Sequence, residues 1–472
     1  MATLDSLVAE ILEVEERYNL NKINISGIPA WPILKYRLRG HYLISKGVTD
    51  ITLAKNNKTK RSIRSVKYWF ISLFQLLSLL FSKKNVKYCF VGFTRLENVN
   101  NKRIDKFFDP IIKCCELEEN DYLYFNNEIS HPADRSDEHP IVYTDIIRTF
   151  SLLCGVIISP FVYLLNKKEF QKLNNVTTDY FTKDKKAKLY SILKICSFTV
   201  QRVMYRRIFK NTKPGVIIGV SRITFLPQAL AAKSLGIKVV EMQHGITLGR
   251  TPQYSGEYNP KIDPDVFCAF GNSCPLDVFG IDPLKIVNVG WALKSYLKTS
   301  LNVEEFDPNY VLFISDPEIS DYILSTVLKL ASMHPDVNFH IRRHPQERYG
   351  QKQITLIDDV QNVKDVTSTE CSQIAIMRYK YIVGENSSVV FEAISAGKMV
   401  ARLNCEGMTA MGYNPSVKDG FYYINEIGDF EEFINQREAT GAETVAYSDF
   451  NTIIFKSVIT IKATDGTITI KE

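Results

Sequence analysis

Short runs rich in valine, isoleucine and aromatic residues recur along the chain, each followed by a stretch of helical character, and this alternation restricts the fold more than any other feature. VKYCFVGF (Val86–Phe93), DYLYF (Asp121–Phe125), GVIIGVS (Gly215–Ser221), KVVEMQ (Lys238–Gln243), DVFCAFG (Asp265–Gly271) and KIVNVG (Lys285–Gly290) read as strands buried in a parallel sheet. They predict one doubly wound domain. YVLFIS (Tyr310–Ser315), NFHIRR (Asn338–Arg343), YIVGE (Tyr381–Glu385) and MVARL (Met399–Leu403) predict a second α/β domain. The polar stretch Trp291–Asn309 reads as the linker. The expected order is a helical, basic and apolar region over 1–84, a first domain over 85–295, a second over 296–430 and a tail over 431–472. In the tail, NTIIFKSVITIKATDGTITIKE alternates Ile and Val with Thr and Lys around Asp465-Gly466, the pattern of a β-hairpin expected to be dispensable for turnover.

With 472 residues, 45% of them hydrophobic and 23% charged, the chain has a globular composition and length for more than one core. Its 58 basic and 52 acidic residues leave a formal +6, too small an excess for a dedicated nucleic-acid binder. Nine cysteines without a CxxC pair argue against a disulfide framework and a structural zinc site, and fit a reducing cytoplasm. The N-terminus MATLDSLVAEILEVEERYNL is acidic and amphipathic where an export signal is basic and then apolar.

Two apolar runs, Tyr68–Phe81 and Phe150–Leu165, the second broken by Pro160, fall short of the roughly 20 residues a membrane span needs. A buried helix or strand is one reading of each. Basic neighbours in Lys55–Lys84, and again in Lys183–Lys210, suit the other reading, an interfacial helix on an anionic membrane. That attachment would be peripheral, with Tyr68, Trp69 and Phe70 entering the interface.

Ligands of open α/β sheets bind beyond the carboxyl ends of the strands. KVVEMQ is followed by His244-Gly245, NFHIRR by His344-Pro345, and YIVGE by Asn386-Ser387-Ser388, which opens a helix carrying Glu392. A helix start attracts phosphate, and serine hydroxyls there add donors, although the same residues cap helices without any ligand. Arg342, Arg343 and His344 are candidate phosphate donors, of which one arginine at most faces the site if both stay in the strand. His244 is a candidate base or orienting group, with Glu241 or Glu257 as the accompanying carboxylate. Asp263-Pro264-Asp265 is discounted as a metal pair because it begins a strand run. No other spacing suggests a metal, and no cofactor is expected.

MQHG, RRHPQE and NSSVVFEAISAG, in that order, resemble the motifs of bacterial GT-B glycosyltransferases that build capsules and lipopolysaccharide, including polysialyltransferase-like and Kdo-transferase-like enzymes; polyol-phosphate polymerases share a similar pattern. The resemblance spans roughly Val86–Tyr423. It implies two Rossmann-like domains facing a cleft, with nucleotide phosphate at His344, Ser387 and Ser388, the ribose at Glu392 or Glu385, and Gly290 approaching the donor phosphate. Glu385-x6-Glu392 is one residue shorter than the usual two-glutamate spacing of retaining enzymes, so the stereochemical outcome stays open. The expected activity is sugar transfer from a nucleotide-linked donor, CMP-linked by preference, to a lipid-linked or oligosaccharide acceptor at the inner face of the cell membrane. A CDP-linked polyol-phosphate transferase, a nucleotide-sugar epimerase and a non-catalytic binding protein are the alternatives.

Overall fold

The computed structural model describes residues 4–47, 63–81, 83–93, 96–99, 102–126, 140–184, 186–247, 249–273, 279–344, 347–367, 371–385, 387–405, 420–436 and 446–460. Two N-terminal helices, α1 (Leu4–Arg17) and α2 (Ala30–Ser45), bury Leu7, Ile11, Trp31, Leu34 and Leu38 in one cluster. Between them Arg39 and Glu15 form a buried ion pair at 2.6 Å. Arg39 Nη1 also donates to the carbonyls of Pro252 and Ser255, at 2.6 and 2.9 Å, fixing these helices to the body of the first domain.

α3 (Ile63–Phe81) leads into the first sheet: β1 (Tyr88–Val91), β2 (Tyr122–Asn126), β3 (Ile141–Tyr143), β4 (Val216–Val220), β5 (Lys238–Met242), β6 (Val266–Ala269) and β7 (Ile286–Asn288). The strand order is β7-β6-β5-β4-β1-β2-β3 and every pairing is parallel. The order reverses between β1 and β4. Helices α4 (Asp145–Leu165), α5 (Lys186–Thr212) and α6 (Arg222–Lys233) are among those that flank it. α4 and α5 pack closely because Gly155 carries no side chain, since a Cβ there would lie 3.0 Å from the Ser197 amide nitrogen. α4 is 21 residues long and apolar enough to cross a membrane by length and composition, which corrects the reading that both apolar runs are too short.

After α7 (Ala292–Ser300), the second sheet runs β8 (Tyr310–Ile314), β9 (Asn338–Arg342), β10 (Val363–Asp365), β11 (Tyr381–Gly384), β12 (Met399–Leu403) and β13 (Tyr422–Ile424). Its order, β10-β9-β8-β11-β12-β13, is again all parallel and reverses between β8 and β11. α8 (Ser320–Met333), α9 (Ser372–Arg378) and α10 (Ser388–Ser395) cover it. The protein is therefore α/β, with two doubly wound Rossmann-like domains in the GT-B arrangement.

Two expectations change. The stretch read as a polar linker starts with Trp291, Ala292, Leu293 and Leu297 in the core, on the inner face of α7. The tail, read as a hairpin, contains instead a helix, α11 (Thr452–Thr460), whose Phe455, Val458 and Ile459 are buried. The Val458 carbonyl accepts from Lys238 Nζ at 2.6 Å, so the tail is docked on the first sheet. The remaining hairpin residues, 461–472, lie outside the described residues, as do Pro345, Asn386 and the basic stretch 55–62.

Gly290 marks the docking point. Its φ is +76°, and a Cβ would fall 2.1 Å from the Asp449 carbonyl oxygen. Gly397 has the same backbone preference, φ +78°, with open space around it. Gly290→Ala should therefore cost several kcal/mol and Gly397→Ala only about 1 kcal/mol, measured by chemical unfolding. Equal losses would mean that the tail does not occupy this position.

Candidate functional site

β11 ends at Gly384 and the chain passes through Glu385 into Ser387, the N-cap of α10, whose Oγ accepts from the Val389 amide at 3.4 Å. Ser388 occupies the first helical position. Glu385 is buried with its carboxylate 3.9 Å from Arg402 Nη2, while its carbonyl accepts from Arg402 Nε at 3.2 Å. That arginine is enclosed by Phe391, Phe421 and Tyr423. Glu385 is thus committed to the sheet's own ion pair.

Across β8, the end of β9 carries Arg342, Arg343 and His344. Arg343 is taken up by Asp365, at 2.7 Å, and by the ring of Tyr349, so of the two arginines Arg342 is the remaining candidate. The His344 amide donates to Glu347 Oε2 at 2.9 Å. The other Glu347 oxygen accepts from Ser315 Oγ at 2.7 Å and Ser320 Oγ at 2.5 Å. Glu347 therefore ties the His344 turn to the end of β8 and to the first turn of α8. Sequence reasoning gave it no role, although it lies within the quoted RRHPQE.

In the first domain, His244 follows β5 by two residues. Its ring stands edge-on to Phe93, with centroids 4.9 Å apart, and stacks near Phe107 at 6.2 Å. Both phenylalanines are fixed by buried Asp105, which accepts from the amides of Phe93, Phe107 and Phe108 and from the Tyr124 hydroxyl. The His244 amide donates to the Tyr254 hydroxyl at 3.3 Å.

Neither carboxylate proposed beside His244 joins it. Glu241 is buried and accepts from the Arg222 amide and Nε, at 2.5 and 3.0 Å, and Arg222 also pairs with Asp263 at 3.3 Å. Asp265 pairs with Lys233 at 2.5 Å, so the Asp263 and Asp265 carboxylates serve different cations. Glu257 is exposed on the loop whose backbone packs against Gly280. Gly290, assigned to the donor phosphate, gives its amide to Asn288 Oδ1 at 3.1 Å and presses its bare face on Asp449; its need for glycine comes from the tail.

The two halves meet at Tyr447, a residue without any sequence signal. Its ring packs edge-on to Trp291, centroids 4.7 Å apart, and stacks on Phe270 at 5.6 Å. Its hydroxyl is buried without a hydrogen-bond partner among the described residues, close enough to Ser388 and the Ile246 backbone to feel both. Glu392, one turn further along α10, accepts from Gln373 Nε2 at 2.8 Å and borders a 50 Å³ void with Trp291, Gln373 and Tyr447. Burial pushes its carboxyl up to about 7, opposed by Lys106 and the Gln373 hydrogen bond and aided by Glu97.

A second opening, a cavity of about 230 Å³, lies at the reversal point of the first sheet. Val91, Gly92 and Phe93 after β1, Asn126 and Thr144, and Arg148, Lys194 and Gln201 from α4 and α5 line it. Phe93 also walls His244, so the cavity adjoins that histidine. At the end of β4, Ser221 has φ +58°, uncommon for a non-glycine residue, and its Oγ accepts from Gln253 Nε2 at 2.5 Å.

No protein-family model matches the chain, and no curated protein sequence matches it. Among solved structures it is similar to the UDP-GlcNAc 2-epimerase of Methanocaldococcus jannaschii, at 12% identity and TM-score 0.46 over 79% of this chain and 99% of that one. It is similar also to the UDP-GlcNAc 2-epimerase of Neisseria meningitidis bound to UDP-GlcNAc, at 15% and 0.41 over 79% and 100%. A third is the glycotransferase of kitacinnamycin, at 9% and 0.43 over 81% and 92%. The fold assignment here rests on the strand orders above.

The Glu392 carboxyl has a checkable consequence for stability. Its folded pKa lies above the ordinary carboxyl value, so the folded state keeps a proton that the unfolded chain releases. Stability then falls as pH rises from about 4.5 to about 7 and levels off above, by up to about 3 kcal/mol. Glu392→Gln should flatten this segment of the curve and unfold at a higher Tm than the parent at pH 8. Parallel Tm-against-pH curves would contradict the assignment.

Proposed function

We propose that the chain is a glycosyltransferase that moves a sugar from a nucleotide-linked donor to a growing bacterial surface glycan, on a lipid-linked or oligosaccharide acceptor. The observation that carries this reading is a coincidence of position. The second sheet reverses between β8 and β11, the crevice where open α/β sheets hold ligands, and Ser387 and Ser388 stand at the end of β11, with His344 one strand beyond β8. α10 begins there, and its N-terminus brings the partial positive charge of a helix start toward phosphate. The resemblance of the motifs favours a CMP-linked donor.

In this reading the phosphate leaves toward α10 and His344, where donors already in place stabilise the charge that develops on it. His344 is pre-positioned through its amide, since Glu347 holds that turn against Ser315 and Ser320. His244 stands on the opposite side, supported by Phe93 and Phe107, and would take the proton of the attacking hydroxyl. Glu241 and Asp263, buried in the same domain, are bound to Arg222, and in this reading His244 is the base. The first-domain cavity gives a second substrate a place of its own, which a reaction confined to the donor does not require.

Calorimetric titration with CMP and with UDP tests the donor side. Ser388→Ala and His344→Ala should each weaken nucleotide binding roughly tenfold, the loss of one charge-assisted hydrogen bond. Unchanged affinity in both would reject the site. Incubation with nucleotide sugars tests the reaction: nucleotide release that depends on an added acceptor supports transfer, whereas conversion of the donor to an epimer without acceptor would replace it by the isomerase reading.

A further inference from the structure

The cavity at the first sheet's reversal point is cationic, and it opens beside an apolar surface. Lys194, on α5, is half-buried, with its ammonium 4.7 Å from the Phe198 ring centroid. Burial pushes the ammonium down to about 8, and the cations Arg148 and Arg37 add to that shift. Arg148 and Lys194 line one cavity with Asn126, Thr144 and Gln201, a set rich in donors and, among the described residues, without a carboxylate. Such a lining selects an anion rich in oxygen acceptors.

From Arg148, α4 continues into a face that none of the described residues covers. Leu153, Ile157, Phe161 and Leu164 recur at helical spacing and are 61%, 68%, 67% and 69% exposed. Leu153 lies five residues beyond Arg148, a rise of about 7 Å along the helix. α3 packs near the start of α4, with Ser72 Oγ accepting from the Ile146 amide, and carries a second stripe of Phe70, Phe74, Leu77 and Phe81. Lysines end both stripes: Lys83 and Lys84 follow α3, and Lys167 and Lys168 follow α4, all exposed. Apolar stripes ended by lysine match an anionic bilayer surface, with the acyl region under the stripe and lipid headgroups at the lysines. The opposite face of α4 is packed on α5 through Gly155, so the helix lies along the surface of the domain.

We propose that the cavity between α4 and α5 holds the phosphate or pyrophosphate head of a lipid-linked acceptor, while the exposed face of α4 rests in an anionic membrane. The acceptor role depends on the transferase reading; the anion site and the membrane face do not. This moves the contact from the aromatic cluster Tyr68–Phe70 expected from sequence to Leu153–Leu164. The basic side chains that expectation relied on, Lys58, Lys60, Arg61, Arg64 and Lys67, lie outside the described ones.

Two measurements separate the parts, and neither needs turnover. Inorganic pyrophosphate is titrated into the full chain with CMP in excess to occupy the second-domain site. The double variant Arg148→Gln/Lys194→Gln should bind it at least tenfold more weakly while CMP affinity stays unchanged; pyrophosphate binding that is absent from the parent, or equal in the variant, would overturn the anion site. Co-sedimentation is then measured with phosphatidylcholine vesicles, with and without phosphatidic acid. The parent should sediment with the anionic vesicles, and Leu153→Ser/Ile157→Ser should sediment at least tenfold less while keeping its pyrophosphate affinity. Equal sedimentation of this variant and the parent would overturn the membrane face. Loss of CMP binding in the parent, with both of these results intact, would reject the donor assignment alone.

Discussion

Everything proposed for the cleft depends on an aromatic seam to which the first domain and the tail both contribute. Phe270 and Trp291, at the end of the first domain, stand edge-on with centroids 4.3 Å apart, and Tyr447 from the tail packs on both. Phe107 joins from the other side, 6.0 Å from Trp291, and carries the contact on to His244. Rings of this size bury much apolar surface in fixed geometry, with roughly 0.5–1.5 kcal/mol per pair beyond burial. The buried Tyr447 hydroxyl lies near Ser388, so the same seam borders the start of α10. The docking of Asp449 against Gly290 and of α11 against Lys238 holds Tyr447 in place.

Charge is arranged around this seam by a simple rule: where a strand end must be rigid, its carboxylate is neutralised within the chain. Glu241 and Asp263 take Arg222, Glu385 takes Arg402, and Glu347 takes two serine hydroxyls and an amide. A buried carboxylate left without partners would cost several kcal/mol, so these pairs fix loop shape more than they add stability. The proposed reading assigns ligand contacts instead to the histidines, the serine hydroxyls and the cations of the first-domain cavity.

Much of this was legible in the sequence, for a physical reason. Strands buried on both faces show as apolar runs, and the runs read from sequence coincide with strands of the two sheets. β3, β10 and β13, of three residues each, were missed, whereas the equally short β7 was read within the run KIVNVG. α7 was misread because Lys294, Ser295 and Lys298 surround the buried Leu293 and Leu297 on a helix with only one inner face. The tail was misread because Phe455, Val458 and Ile459 fit a helix while the neighbouring threonines and valines suggest a strand. In the candidate site, the positions of His244, His344 and the serine pair just past strand ends were legible because the strand runs themselves were. Tyr447, Asp105, Arg402 and Glu347 were not, since their roles depend on partners that only the fold brings close.

Hydrogen–deuterium exchange with and without saturating CMP tests the central claim most directly, because it reads the backbone at every strand end at once. The account predicts slowed exchange in 387–392, at the start of α10, and in 342–350, around the His344 turn, with the second sheet's outer strands unchanged. Protection confined to the first-domain cavity, around Phe93, Asn126 and Thr144, would contradict it and place the nucleotide in the other domain.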